Sequence, residues 1–291
     1  MPKVLVIGSN GMLGSTITKY FYLQSVEVTE ANRNGSPVIR ENSFINFDIF
    51  KDPLETLRPV NSNFDFVLNC SGLIKHKIVE GEKAMVVNGE FPQQLASMFG
   101  RSARIIQIAT DCVFSGKGLN YTEASEKDAT DVYGVSKIAG EVQSNNFLNL
   151  RTSVIGLEIE AKIELLEWVI KAPAGEVLNG FTNHFWNGIT TLAFAKVILG
   201  IIRSGNFEAG TLHLIPANST SKAELIRLIA LNFNRNDLTI LDTLGPQSID
   251  RTLSTLHPNK NKRLWADAGY LKIPTIEDMI REYAEWTGVN K

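Results

Sequence analysis

Residues 3–14 read KVLVIGSNGMLG, an apolar strand pattern that runs through a glycine-rich turn into a helix pattern. The run Lys3–Ile7 predicts a buried strand, and Met12–Leu23 predicts the helix. Small residues in such a turn let the backbone approach a pyrophosphate at the positive end of the helix. The alternative is that the glycines serve only the tight strand-to-helix turn, which needs glycine without any ligand. A kinase-type phosphate loop is excluded because no Lys-Ser/Thr pair follows. The turn predicts dinucleotide binding by Gly8, Asn10, Gly11, Met12, Leu13 and Gly14.

The first half of the chain continues this alternation of strand and helix patterns. Further strands are predicted at Val26–Thr29, Ile45–Phe47, Phe64–Asn69, Arg104–Ile108 and Phe147–Leu150. Further helices are predicted at Lys83–Phe99 and Val132–Gln143. Several strands are continuous Val/Ile/Leu runs, which is typical of parallel strands covered on both faces. The sequence therefore predicts the α/β class, with a Rossmann-type doubly wound parallel sheet.

After Arg151 helical patterns dominate. They cover Ile163–Lys171, Thr190–Arg203, Lys222–Asn232 and Ile276–Thr287, with one clear strand at Gly210–Ile215. We expect a dinucleotide-binding domain at residues 1–152 and a smaller, mainly helical substrate lobe at residues 153–291. This prediction allows segments of the substrate lobe to pack with the dinucleotide-binding domain, and the reverse.

Composition narrows the class of protein. The formal net charge of −2 provides no general attraction for nucleic acid or an anionic membrane, so neither is expected as a partner. The longest apolar stretch, Leu192–Ile202, is too short to span a bilayer, and the N-terminus lacks a signal-peptide core. Cys70 and Cys112 are expected to be reduced, and the four histidines show no metal-ligand spacing. A cytoplasmic protein without a metal is predicted.

The residues after the second strand bear on the choice of dinucleotide. An acid at the end of this strand usually binds a 2′-hydroxyl, whereas a base binds a 2′-phosphate. Both kinds of residue are present, as Glu30 and Arg33. Arg33 favours NADP(H), and NAD(H) is possible if Glu30 holds the ribose. The alternative without a function in binding is that Arg33 is a solvated charge of the loop.

Tyr133 and Lys137 lie in a helical pattern four residues apart, so they share one helix face. A nearby ammonium stabilises phenolate and lowers the pKa of a tyrosine, which makes it a usable proton donor. A surface pair is the alternative for this spacing alone. Together with the glycine-rich turn, the pair predicts a reductase.

These motifs resemble the extended short-chain dehydrogenase/reductases, and within them the dTDP-4-dehydrorhamnose reductase family. The matching segments are Gly8–Gly14, Ala109–Gly116, Tyr121–Glu123, Val132–Glu141 and Asn149–Ser153. The resemblance extends over nearly the whole chain. It implies NADPH-dependent reduction of the 4-keto group of a nucleotide-linked 6-deoxyhexulose, in deoxysugar biosynthesis for surface polysaccharide. A monomer or homodimer is implied.

The resemblance also implies roles for matching residues. Tyr133 is the expected proton donor, Lys137 would hold the nicotinamide ribose, and Thr110 would hydrogen-bond the sugar carbonyl. Asp111 is expected at the substrate pocket. The remaining expected contacts are Asp48 and Ile49 at the adenine, Cys70, Ser71 and Gly72 across the cofactor, and Asn88 at the substrate. A buried structural role for Asn88 stays open.

Departures from the family pattern leave other functions open. Cys112 replaces an aromatic residue, and Val154–Gly156 replaces a stretch with Trp and Tyr-Gly that faces the nucleotide sugar in the family. Trp186 could supply stacking instead, or belong to the core. The alternatives are a UDP-linked amino-deoxysugar reductase, an epimerase or a dehydratase of the same superfamily. Absence of Glu after Asp111 argues against the dehydratase. A non-catalytic subunit resembling the methionine adenosyltransferase β subunit is the alternative from another class.

Overall fold

A parallel sheet forms the centre of the computed structural model, which describes residues 2–59, 63–100, 102–159 and 164–288. Its strands in the described chain are β1 Val4–Ile7, β2 Val28–Asn32, β3 Ser43–Asn46, β4 Phe66–Asn69, β5 Arg104–Ala109, β6 Phe147–Arg151 and β7 Gly210–His213. They lie in the order β7-β6-β5-β4-β1-β2-β3, and each neighbouring pair is parallel. The strand order reverses between β1 and β4. The predicted α/β class with a doubly wound sheet is confirmed.

The sequence of β1 shows why both faces of the sheet are covered. Successive side chains of a strand point to opposite faces. Val4 and Val6 belong to one hydrophobic core, with Ile17, while Leu5 and Ile7 belong to a second core on the other face. All four strand residues are at most 1% exposed, so the strand is apolar at every position.

Helices cover the two faces. The described helices are α1 Met12–Leu23, α2 Gly81–Ala84, α3 Phe91–Phe99, α4 Val132–Ala139, α5 Leu165–Ile170, α6 Thr191–Ser204, α7 Lys222–Asn232, α8 Pro258–Asp267 and α9 Ile276–Thr287. Short 3₁₀ turns lie at Leu54–Leu57, Lys75–Lys77 and Asp111–Val113. No helix in the described part of the chain is long and apolar enough to cross a membrane.

Several predicted bounds shift. Strand β2 begins at Val28 instead of Val26 and extends to Asn32. Helix α4 ends at Ala139, and the following Gly140 lies directly against the backbone of Asn88. A Cβ on Gly140 would lie 1.9 Å from the Asn88 carbonyl oxygen. The predicted start of a helix at Ile163 lies outside the described residues. Within the described residues, α5 begins at Leu165.

One predicted helix contains an irregular turn. Between α2 and α3 the residues Met85–Glu90 form a π-helical segment, so that helical structure runs without a break from Gly81 to Phe99. Such segments are rare in proteins, and those that occur are often found near functional sites. Here the segment contains Asn88.

The second half of the chain contributes to both lobes. Helix α6 packs on α1, where the Thr16 and Thr191 hydroxyls lie 3.1 Å apart, and β7 extends the central sheet beside β6. The central sheet and the helices that cover it therefore include residues from beyond position 152. The second lobe contains α5, α7 and short strands that the sequence did not indicate. These strands pair as Val177–Phe181 with Thr239–Thr243, and as His184–Trp186 with Thr220–Ser221 and Ile249–Asp250.

Candidate active site

Connected cavities lie at the carboxyl edge of the central sheet. Parallel sheets of this kind bind ligands where the strand order reverses, which here is between β1 and β4. The first cavity, which we call the dinucleotide cleft, begins at the turn after β1. The second, the catalytic cavity, extends to Tyr133 and Lys137. The two share a wall formed by Gly11, Met12, Cys70, Ser71, Gly72, Leu73 and Glu158.

Most of the predicted cofactor residues line the dinucleotide cleft. They are Gly8, Asn10, Gly11, Met12, Arg33, Asp48, Ile49, Cys70, Ser71 and Gly72. Gly8 has a φ of +78°, and a Cβ there would lie 2.9 Å from the Ser71 nitrogen. Only glycine fits both the conformation and the space. The cleft brings together segments from four strand ends, as expected for a site at this edge of the sheet.

Leu13 and Gly14 take different positions from the rest of the turn. Leu13 lines the catalytic cavity, while Gly14 lies away from the lining of either cavity in the described chain. A Cβ on Gly14 would lie 2.2 Å from the Gly8 carbonyl oxygen. Glycine is therefore needed at this position for the close approach of α1 to the turn, which is the packing role of a third glycine in such turns.

Glu30 and Arg33 differ sharply in their surroundings. The fully buried Glu30 carboxylate accepts hydrogen bonds from the Val38 nitrogen at 2.7 Å, the Ile39 nitrogen at 2.9 Å and the Asn42 amide at 3.0 Å. It fastens the loop after β2 and does not face the cleft. Arg33 is exposed and lines the cleft. Of the two residues proposed from sequence, only Arg33 is placed to contact a ligand.

The predicted catalytic residues lie together. Thr110, Asp111, Tyr133, Lys137 and Asn88 all line the catalytic cavity. The Lys137 ammonium donates a hydrogen bond to the Ile108 carbonyl oxygen at 3.1 Å. Burial lowers the pKa of Lys137 to about 8, with the Glu141 carboxylate opposing the shift.

Tyr133 does not have the lowered pKa that the sequence predicts. Burial raises the pKa of its phenol, and a hydrogen bond with the Thr110 side chain only partly offsets this. Lys137 is on the same helix, but its ammonium is directed to the Ile108 carbonyl oxygen. In this environment desolvation of the phenolate is the dominant effect on the pKa of Tyr133. Tyr133 is therefore held as a neutral phenol.

Thr110 connects Tyr133 to Asp111. Its hydroxyl accepts a hydrogen bond from the Cys112 nitrogen at 3.1 Å and donates one to the Asp111 carboxylate at 3.1 Å. Since a hydroxyl has one proton, Thr110 must rotate to donate to a sugar carbonyl. Burial raises the pKa of Asp111, against the effects of Arg251, the Thr110 hydrogen bond and Lys222.

The side chain of Asn88 bonds to protein groups. Its Oδ1 accepts from the Leu73 nitrogen at 2.9 Å, and its amide donates to the Leu73 carbonyl oxygen at 2.9 Å and to Ser136 Oγ at 3.1 Å. These bonds join the loop after β4 to α4. They favour the structural role for Asn88 over direct substrate binding, because its amide protons are both used.

Further residues lie in or around the catalytic cavity, and the sequence analysis did not select most of them. Trp186 is a core residue, 4% exposed, and its indole N–H donates to Ser153 Oγ at 2.8 Å. Lys222 and Arg251 act electrostatically on Asp111 from the second lobe. His76 and Glu164 both line the catalytic cavity, with His76 Nε2 3.4 Å from Glu164 Oε1. Isolated basic residues carry no spacing signal, so only the fold could bring them into the site.

Comparison with known proteins agrees with this geometry. The sequence matches the RmlD substrate binding domain family over residues 2–263. It is 33% identical to a dTDP-4-dehydrorhamnose reductase of Streptomyces griseus over 144 residues, which is 48% of this chain and 44% of that protein. It is 28% identical to methionine adenosyltransferase 2 subunit beta of Danio rerio over 142 residues, covering 48% of this chain and 42% of that protein. The chain thus spans less than half the length of these curated relatives.

A solved structure shows the same fold over the whole length. The dTDP-4-dehydrorhamnose reductase of Bacillus anthracis, in complex with NADP, superposes with a TM-score of 0.76 at 18% identity. The alignment covers 97% of this chain and 98% of that one. Because the family match extends over most of the sequence and agrees with the predicted relationship, this chain belongs to the RmlD substrate binding domain family, within the extended short-chain dehydrogenase/reductases.

Proposed function

We propose that the chain is an NADP(H)-dependent oxidoreductase that reduces the 4-keto group of a nucleotide-linked 6-deoxyhexulose, as a dTDP-4-dehydrorhamnose reductase does. The observation that carries the proposal is that the two cavities adjoin along a shared set of lining residues. The glycine-rich turn and Arg33 lie along one, and Tyr133, Lys137 and Thr110 lie along the other. A cofactor extended along this path would place its reactive end beside a proton donor.

The roles of the residues follow from their positions. A bound NADPH supplies hydride to the carbonyl carbon. Tyr133, kept neutral by burial, gives its proton to the carbonyl oxygen as negative charge develops there. Thr110 donates a hydrogen bond to the same oxygen once it turns from Asp111, and Lys137 holds the ribose and stabilises the developing phenolate. Together these residues position the reactants and stabilise charge.

A panel of dTDP-, UDP- and GDP-linked 4-keto sugars with NADPH tests the proposal. Oxidation of NADPH together with a reduced sugar product is expected for at least one 4-keto-6-deoxy sugar. Absence of turnover with every member of the panel would contradict the assignment. The proposed setting is the cytoplasm, in deoxysugar biosynthesis for surface polysaccharide.

A non-catalytic subunit is the second candidate, favoured by the 28% identity to methionine adenosyltransferase 2 subunit beta. The arrangement of Tyr133, Lys137 and Thr110 around one cavity favours the reductase, because a scaffold needs no proton donor there. A stoichiometric complex with a methionine adenosyltransferase, without turnover of any keto-sugar, would support the second candidate.

The preference for NADPH is expected to depend on Arg33. Replacing Arg33 with Ala should weaken NADPH binding much more than NADH binding, because only NADPH has the 2′-phosphate. A hydrogen bond to a charged group contributes about 1.5–3 kcal/mol, or roughly tenfold to 150-fold in affinity. Arg40→Ala is the matched control, since Arg40 is an exposed arginine of the same loop. Titration of each variant with both cofactors measures the effect, and equal losses for both would contradict it.

The two cysteines are not expected to take part in the chemistry. Both are free thiols, and burial raises the pKa of each to about 12. A thiol that stays protonated is a poor nucleophile. The double variant Cys70→Ser, Cys112→Ser should therefore retain measurable keto-sugar turnover, with thermal unfolding as a check on the fold. Loss of all turnover in a folded double variant would require a covalent mechanism.

A further inference from the structure

Lys222 is a basic residue close to Asp111, beside the catalytic cavity. It is the first residue of α7, and its ammonium lies 5.5 Å from the centroid of the Trp186 ring. It also acts electrostatically on Asp111 and Cys112, which both line the cavity. Trp186 is itself bonded to Ser153 of the cavity wall. These contacts place the Lys222 ammonium beside the cavity wall at Ser153 and within electrostatic range of Asp111.

The ammonium has no hydrogen-bond acceptor among the described residues. An ammonium carries three donors and normally has acceptors or water around it. The surrounding protein lowers the pKa of Lys222 through desolvation, although Asp111 and Cys112 oppose the shift. Enclosing a charge with unused donors is unfavourable unless a partner is supplied. Contact with the face of Trp186 offsets only part of this cost.

Arg251 is a second cation that acts on Asp111. Its Nε donates to the Phe114 carbonyl oxygen at 2.8 Å and its Nη2 to the Ser115 carbonyl oxygen at 3.1 Å, so neither bond neutralises its charge. Both Arg251 and Lys222 act on the single carboxylate of Asp111. Among the described residues no ion pair neutralises either cation, so both remain available to an anionic ligand.

We propose that Lys222 is a substrate-recognition residue whose ammonium binds an anionic oxygen of the nucleotide sugar, supplied by the diphosphate or by a carboxylate on the sugar. A lysine ammonium is a compact point charge that binds phosphate and carboxylate oxygens. The inference rests on the proposed function, because it takes the nucleotide sugar to lie in the catalytic cavity. Loss of Lys222 should affect binding more than the chemical step.

The test compares Lys222→Met, Lys222→Arg and Lys272→Met with the parent chain. Methionine keeps the length of the side chain and removes the charge, arginine keeps the charge, and Lys272 is an exposed lysine of the loop before α9. Calorimetric titrations with dTDP, UDP, UDP-glucose and UDP-glucuronate, at constant salt, measure affinity without turnover. Thermal unfolding of each variant checks the fold.

We expect Lys222→Met to weaken at least one of these ligands by about tenfold or more, with most of the affinity retained in Lys222→Arg and all of it in Lys272→Met. Equal weakening of dTDP or UDP and of the UDP-sugars identifies the diphosphate as the partner. Weakening confined to UDP-glucuronate identifies a sugar carboxylate.

Parent-like affinity of Lys222→Met for every ligand would overturn the inference, as would failure of the parent to bind any of them. The proposed function is tested separately by NADPH oxidation. If no keto-sugar is reduced but Lys222→Met still loses nucleotide affinity, the proposed reaction fails and the recognition role of Lys222 stands. If keto-sugars are reduced and Lys222→Met binds as the parent does, only the inference fails.

Discussion

Replacing Tyr133 with Phe should lower keto-sugar turnover by roughly 100- to 10,000-fold, the usual contribution of a general acid. The change removes one hydroxyl and keeps the ring that lines the catalytic cavity. The dinucleotide cleft begins on the other side of the shared wall, so NADPH should bind with nearly unchanged affinity. Burial holds the Tyr133 phenol protonated, and the Thr110 hydroxyl beside it has a much higher intrinsic pKa and cannot replace it as an acid.

Steady-state kinetics with the best keto-sugar of the panel, together with NADPH titration, measures both effects. Tyr22→Phe is the matched control, because Tyr22 is an exposed residue at the end of α1, with 44% of its surface accessible. That variant should keep the parent rate. If Tyr133→Phe reduces the sugar as fast as the parent, Tyr133 is not the acid. If it loses NADPH affinity to a similar degree, the residue acts through the structure of the site.

Replacing Lys137 with Met should reduce both NADPH affinity and turnover, because this residue is proposed to hold the ribose and to stabilise charge on Tyr133. Loss of a charged hydrogen bond predicts an affinity about tenfold to 150-fold lower. The rate at saturating NADPH should fall further, since the developing phenolate would lose the cation proposed to stabilise it. Lys272→Met serves as the control. A variant with parent affinity and parent rate would remove Lys137 from the mechanism.

The dependence of affinity on pH provides a second measurement of Lys137. Its pKa is lowered to about 8, so the side chain is charged below that pH and loses its charge as the pH rises through it. NADPH affinity of the parent should therefore decrease above pH 8, while Lys137→Met should lack this step. The raised pKa of Tyr133 keeps its phenol neutral across the same range, so it should not add a step of its own.

The sequence by itself determined the features that depend on short-range patterns. The buried run of β1 and the spacing of Gly8, Gly11 and Gly14 predicted a strand, a turn and a helix, which the structure contains. Tyr133 and Lys137 are four residues apart, so any helix places them on one face. Alternation of strand and helix patterns led to the parallel sheet, and the sheet brings Thr110 to the edge where Tyr133 lies.

Only the tertiary structure decided the environments of the same residues. Burial depends on atoms far away in the sequence, and desolvation raises the pKa of Tyr133, whereas its spacing from Lys137 predicted a lowered pKa. From its place in the sequence Glu30 was a candidate to hold a ribose, but in the structure it is buried and bonded to the loop that follows β2. Lys222 is more than 100 residues from Asp111 in the chain, and no local pattern relates them. Their approach results from packing of the second lobe over the sheet, because long-range contacts are set by the complementary surfaces of whole elements.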